Sequence, residues 1–176
     1  MSLAVSDFKA KLTGGGARPN LFKCIINSPT VTSGVDSELA SFMCKGGSLP
    51  ASEVSSITVP FRGREVKVAG DRTFADWTAT IINDTDFALR NAFERWLNAI
   101  NAHASGIAES TTPTSYTADI EIQQLDRAGA VIKRYIIVGA FPVSMSDIPL
   151  AFDSTNSIEE FTVNFAYQYW TSDTTS

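Results

Sequence analysis

Few residues in this 176-residue chain have the right types and spacing for chemistry. A histidine ring suits proton transfer near neutral pH, and His103 is the one histidine present. It falls where a helix is expected to end, and covering the last carbonyls of that helix accounts for it. Paired carboxylates could act as acid and base, and they occur at Asp84 and Asp86 and at Glu159 and Glu160, with Asp147 and Asp153 standing singly. The first pair is explained by a helix start, and adjacent residues of a strand point to opposite faces, which separates Glu159 from Glu160. Cys24 and Cys44 lie outside any metal-ligand spacing and read as small buried hydrophobes of a reducing compartment rather than a disulfide framework. Gly14 to Gly16, followed by Ala17, Arg18 and Pro19, lacks both the Lys-Ser/Thr ending and the strand-to-helix setting of a phosphate-binding loop. The expectation is a chain with no catalytic residue, no metal and no cofactor.

The single basic concentration is Arg62, Arg64, Lys67 and Arg72, interrupted by Glu65 and Asp71. Interruption by carboxylates argues against a nucleic-acid patch. The preferred reading is a set of charged contacts to another copy of the chain.

These residues sit on an extended segment. Gly46, Gly47 and Pro50 break the chain, Val54 to Phe61 and Arg64 to Ala69 read as strands, and FRGR forms a charged tip between them. Residues 46–72 are therefore expected to form a projecting hairpin arm with little apolar content near its tip, which gains little by ordering alone. A partner is the natural reason for it.

The rest of the chain supplies a body for that arm. In Thr73 to Ile82, Trp77, Ala79 and Ile81 share one face, and Asp76, Thr78 and Thr80 the other. Asn83 to Asp86 offer acceptors for a helix start near Asp84, and the helix is expected to run over residues 84–103. Leu89, Phe93, Trp96, Leu97 and Ile100 form its apolar stripe. Tyr116 to Leu125 and Val131 to Val138 read as a hairpin closed by LDRAG, Phe141 to Ser144 as a bent edge, and Ile158 to Trp170 as one central strand. Leu21 to Asn27 and Phe42 to Lys45 add shorter strands. Residues 1–16 and 171–176 are expected to be flexible, and Ser105 to Ser115 is a polar loop. The total is seven or eight strands and one flanking helix: a mainly β single domain of two packed antiparallel sheets, a sandwich or open barrel.

Composition agrees with that class. A chain of this length can bury roughly 70% of its unfolded surface, enough for one core. A net charge of -5 without a long basic run argues against tight nucleic-acid binding. The N-terminal stretch lacks a signal-peptide pattern, and no segment reaches the roughly 18 apolar residues that span a bilayer, so a soluble chain in the cytoplasm of its maker is expected.

Six stretches taken in order resemble one family. They are ARPNLF (Ala17 to Phe22), SLPAS (Ser48 to Ser52), VPFRGREVKVAGDRTF (Val59 to Phe74), WTATIINDTDFALRNAFERWLNAIN (Trp77 to Asn101), VGAFP (Val138 to Pro142) and EEFTVNFAYQYW (Glu159 to Trp170). The chain is similar to the tail tube proteins of contractile-tailed bacteriophages over almost its whole length, and less closely to the tube proteins of type VI secretion and of phage-tail-like bacteriocins. The resemblance implies hexameric rings stacked into a hollow tube within a contractile sheath, in the virion tail, assembled in the cytoplasm of a bacterial host. The implied partners are further copies of itself, the tail sheath protein, terminator and baseplate or initiator proteins and a ruler protein. Genome DNA passes through the lumen without specific binding, and there is no stable membrane insertion. It further implies that the arm joins subunits and rings, with Leu49, Pro50, Val59, Pro60, Phe61, Arg62, Arg64, Glu65, Lys67, Asp71 and Arg72 at the interface. Six copies would carry about -30 per ring, repelling phosphates wherever those charges face the bore.

Overall fold

A computed structural model describes residues 4–32 and 34–175. Residues 1–3 of the expected flexible start, residue 33, and residue 176 of the expected tail lie outside the described residues.

The body is built on β1 (Phe22–Ile26), β2 (Cys44–Gly47), β5 (Trp77–Ile82), β6 (Ala118–Leu125), β7 (Val131–Met145), β8 (Glu160–Ala166) and β9 (Tyr169–Ser172), all paired antiparallel. The strand order is β1-β6-β7-β8-β5-β2, with β9 also on β7. The 15-residue β7 belongs to both halves of this arrangement: its first part pairs with β6 and β9, and its end pairs with β8. The expected bent edge at Phe141 to Ser144 is thus the second half of this long strand.

The change of partners occurs at Gly139. Its φ of 65° is left-handed, a conformation open to glycine at little cost. A Cβ there would lie 3.1 Å from Gln168 Cγ. At the same level the expected single strand Ile158 to Trp170 breaks at Tyr167 and Gln168, where the Gln168 amide donates to Val138 O at 3.1 Å. The chain leaves β5 and β7's far end as β8 and returns to β7 as β9.

The helix α3 spans Ala88–Ile100, shorter than the expected 84–103 at both ends. Asp84 still satisfies a helix amide, its Oδ1 accepting from Ala88 N at 3.0 Å, but Phe87 takes a left-handed conformation and delays the first turn. At the far end Asn101 becomes extended, and His103 lies beyond the helix in a turn, its N–H donating to Asn98 Oδ1 at 3.1 Å. Leu89, Ala92, Phe93, Trp96 and Ala99 are the buried face, with Leu97 and Ile100 only partly covered. Phe93 and Trp96 meet Phe165 with ring centroids 6.0 Å and 6.1 Å apart, and Phe93 meets Phe161 edge-on at 6.4 Å. These aromatics bind helix and sheet into one core. Trp96 also donates its indole N–H to Tyr116 O at 2.7 Å.

More helix forms than a single flanking element. Among the described residues, α1 (Val5–Lys11) and a 3-10 turn (Thr13–Gly15) occupy the start, where the sequence predicts flexible backbone. Asp7 in the first turn of α1 and Lys9 and Lys11 in its last suit the helix dipole. The helix α2 (Ser37–Met43) begins at Asp36, whose Oδ1 accepts from Glu38 N at 2.9 Å and Leu39 N at 3.2 Å. Its end takes Phe42 and Met43 from the expected strand 42–45, which begins instead at Cys44. The short α4 (Pro113–Tyr116) removes Tyr116 from the face it was expected to share with Ile120 and Ile122. At the C-terminus, Thr171 and Ser172 belong to β9, and Thr175 Oγ1 accepts from Ser172 N at 2.9 Å, which orders part of the expected tail.

Candidate assembly interface

Two strands stand apart from the body. β3 (Glu53–Phe61) and β4 (Arg64–Thr73) pair only with each other, as a separate two-stranded sheet. Every residue of β3 is exposed, and so is every residue of β4 except Gly70. The strands begin one residue earlier and end four residues later than the sequence predicts.

The tip explains how an uncovered ribbon holds its register. Phe61 opposes Arg64 across a two-residue loop, and Arg62 and Gly63 have φ of 47° and 79°. Positive φ at both loop positions matches the twist of a two-residue hairpin. Gly63 takes this at little cost, while the Arg62 guanidinium lies 5.4 Å from the Phe61 ring centroid, a cation–π contact.

Register then sorts the arm's side chains. Ile57 opposes Val68 and Val59 opposes Val66, so Ile57, Val59, Phe61, Val66 and Val68 share one face. Each is about half exposed or more. The other face carries Thr58 opposite Lys67 and Pro60 opposite Glu65. The expectation of little apolar content near the tip is corrected here: alternation gathers Ile57, Val59, Val66 and Val68, scattered along the sequence, onto one side. Pro60 falls at a position whose nitrogen faces the outer edge, where its missing N–H costs the hairpin no ladder bond.

Among the described residues, Arg62, Arg64, Lys67 and Arg72 have no carboxylate within 4.0 Å, nor do Glu65 and Asp71 have a cation. Among the described residues the ion pairs are Lys45 with Glu160, Arg90 with Glu94 and Arg134 with Glu121, all on the body.

Two indoles tie down the strap that leads into the arm, a feature missed from sequence. Trp77 Nε1 donates to Ser48 O at 2.7 Å and Trp170 Nε1 to Ala51 O at 3.1 Å. Between them Pro50 is buried and Leu49 is left 46% exposed. Of the named residues, then, Pro50 belongs to the body and the other ten lie on exposed backbone of the strap and arm. No sequence signal separates an indole that anchors a strap from one that fills a core.

The chemical candidates do not converge. His103, Asp147 and Asp153 are exposed. Asp84 is occupied with the start of α3, Glu159 accepts from Asn83 Nδ2 at 2.9 Å, and Glu160 pairs with Lys45 at 2.6 Å. The two glutamates thus serve different neighbours, Glu159 from just ahead of β8 and Glu160 from its first position.

Comparison with known proteins agrees with this geometry. The family described as phage tail tube protein matches residues 17–173. The chain is 36% identical over 159 residues to "Tail tube protein gp19" of Enterobacteria phage T4, covering 90% of this chain and 93% of that protein. It is 27% identical over 166 residues to "Tail tube protein" of Serratia phage KSP90, covering 93% of each. In three dimensions it resembles a chain of the anti-feeding prophage baseplate, with a TM-score of 0.67 at 15% identity over 89% of this chain and 95% of that one. It also resembles a chain of the extended sheath-tube complex of an extracellular contractile injection system, with a TM-score of 0.63 at 15% identity over 98% and 99%. The matched span covers the body and the whole arm, and by that match the chain belongs to the phage tail tube protein family.

Proposed function

We propose that this protein is a structural subunit of a contractile phage tail tube, assembling as hexameric rings that stack around a bore. The observation that carries this reading is the arm: a hairpin exposed along all of its length but Gly70, with an apolar face and with charges that have no ion-pair partner among the described residues. Contiguous exposed apolar surface marks a place where another surface docks. A second copy is the fitting cover, because head-to-tail contacts between identical subunits close into rings and repeat along an axis. The outer edges of β3 and β4 offer unpaired backbone groups that a neighbouring strand can satisfy. Leu49, Val59, Pro60, Phe61, Arg62, Arg64, Glu65, Lys67, Asp71 and Arg72 are the residues assigned to this joint, with Pro50 holding its root.

The protein turns over no substrate in this reading. Its further partners are the sheath around the tube, the terminator and baseplate or initiator proteins at its ends, and a ruler protein. DNA passes the bore without being held. The runner-up within the same class is a tube-initiating baseplate protein or a tube subunit of a related contractile injection or secretion system. An initiator has two unlike faces and stops after one ring.

Negative-stain electron microscopy of the purified chain at increasing concentration tests the reading. Rings and tubes of uniform diameter are expected. Rings that never stack indicate the initiator, and solitary particles at high concentration overturn both.

A further inference from the structure

We propose that the arm of one copy docks on the loop between β7 and β8 of the next, its apolar face on that loop's exposed apolar side chains and its cations on that loop's carboxylates. This joint rests on the tube reading, which assigns the arm to a contact between copies but leaves open what receives it.

Residues 146–159 connect Met145, the end of β7, to Glu160, the start of β8. Both ends of the loop are fastened to the body. Ser146 N donates to Thr162 O at 2.9 Å, Ser146 O accepts from Arg90 Nη1 at 2.8 Å, and Asn83 N donates to Glu159 O at 2.9 Å. A loop whose ends are held together is a compact surface feature, and binding residues are often placed on such loops. Ile148 packs against the core, but Leu150, Phe152 and Ile158 are each more exposed than any side chain on the arm's apolar face. Leu150 and Ile158 line a groove of about 280 Å³ together with Ile148 and Pro149. Large apolar side chains gathered on one loop and left in water mark a docking surface.

Charge selects the occupant. Asp147 and Asp153 are exposed and have no cation within 4.0 Å among the described residues. From Tyr135 to the C-terminus the sequence has no lysine or arginine, so the loop's carboxylates find no cation along their own stretch of chain. The arm has the opposite surplus about its tip, where Arg62, Arg64 and Lys67 outnumber Glu65 beside an apolar face. An apolar centre with complementary charges at its rim is the anatomy of a specific joint.

Position makes the contact one between copies. β5 carries the root of the arm at its start, where Trp77 holds Ser48, and the root of the loop just past its end, where Asn83 holds Glu159. At roughly 3.3 Å per residue these roots stand about 20 Å apart along the strand. The arm is exposed, so it does not lie on its own loop. Two unlike and complementary surfaces rooted at opposite ends of one strand join copies head to tail, and each copy added presents a fresh receiver.

The test begins with wild-type chain assembled from a mixture of ordinary and heavy-isotope-labelled copies, coupled with a zero-length carbodiimide, digested and mapped by mass. The expected product is a mixed-isotope peptide joining the Lys67 amine to Asp147 or Asp153. Loop carboxylates joined instead to Lys9 or Lys11 would seat α1 on the loop and overturn the proposal, as would a map with no link from Lys67 to the loop. A second measurement exchanges the charges. Asp147→Lys with Asp153→Lys should raise the concentration needed for assembly by about tenfold, the scale of a few rim ion pairs turned repulsive. Adding Arg62→Glu and Arg64→Glu to the same chain should restore most of that loss. If a variant fails to fold, the wild-type cross-link map decides. Normal assembly of the loop variant, or no recovery in the combined variant, would overturn the docking and leave the tube reading standing on the wild-type tubes. Wild-type particles that stay solitary would instead overturn that reading and this joint with it.

Discussion

Trp77 and Ser48 are joined by a 2.7 Å hydrogen bond from indole to backbone carbonyl, and this bond links the buried core to the root of the exposed arm. Trp77 is 2% exposed and packs on Phe165 with ring centroids 5.8 Å apart, so the arm's position is set from within the body.

Trp77→Phe keeps much of the packing and removes the donor. The expected loss is about 1 kcal/mol for the hydrogen bond, plus a packing cost for the smaller ring, measured by urea denaturation. Amide exchange should accelerate at residues 48–51 ahead of the body's strands. Unchanged exchange there would show that Trp170 alone holds the strap.

The arm's apolar face and its charges can be separated by mutation. Val59→Asp should abolish rings and tubes while the circular dichroism of the monomer stays native, because Val59 is already about half exposed within the chain. Reversal of Arg62 and Arg64 to Glu should weaken polymerisation less completely and in a salt-dependent manner. Sedimentation velocity reads both. Normal tubes from the double reversal would remove the arm's charges from the joint, and normal tubes from Val59→Asp would remove its apolar face.

Gly139→Ala places a Cβ against Gln168 and forces a left-handed backbone on a residue that avoids it. A loss of about 1–2 kcal/mol is expected from the backbone alone, seen as a lower denaturation midpoint. Gly129→Ala is the control: it shares the positive φ, but its added methyl meets nothing within 4 Å. Equal losses would mean that the contact with Gln168 adds nothing.

Tyr167 carries a buried hydroxyl without a partner among the described residues. Burial first, and the charge of Asp76 second, raise its pKa above the ordinary 10.0. A tyrosine harder to ionise when folded than when unfolded contributes its full stability below the ordinary tyrosine range, and that share is lost as pH climbs through the raised value. Tyr167→Phe should therefore be neutral or stabilising at pH 7, by about 1 kcal/mol at most. It should also flatten the alkaline decline in thermal midpoint. A steeper decline would mean that folding lowers the Tyr167 pKa instead of raising it.

Periodicity made the body legible. Phe161, Val163 and Phe165 alternate without interruption, and all three are fully buried in β8. The hairpin of β6 and β7 was equally plain, because Asp126 and Gly129 carry their own turn chemistry, with Asp126 Oδ1 accepting from Ala128 and Ala130 at 2.8 Å each. The arm was visible as two extended runs about FRGR. Its apolar face was not, since that depends on which residue opposes which. The helix α2 was missed although Asp36 and Glu38 spell a helix start; its seven residues are too few for a periodic stripe to declare itself. The division of Ile158 to Trp170 into two strands is a long-range event, imposed by Gly139 on a segment nearly thirty positions away.

The sharing of β7 between both sheets has a mechanical corollary. Where two layers are held only by interdigitated side chains, a push along one can shear it past the other. Here a single covalent backbone threads the pair, so a thrust delivered to either layer is borne by peptide bonds before any packing has to resist it. A subunit wired in this way suits the stacked tube proposed for it.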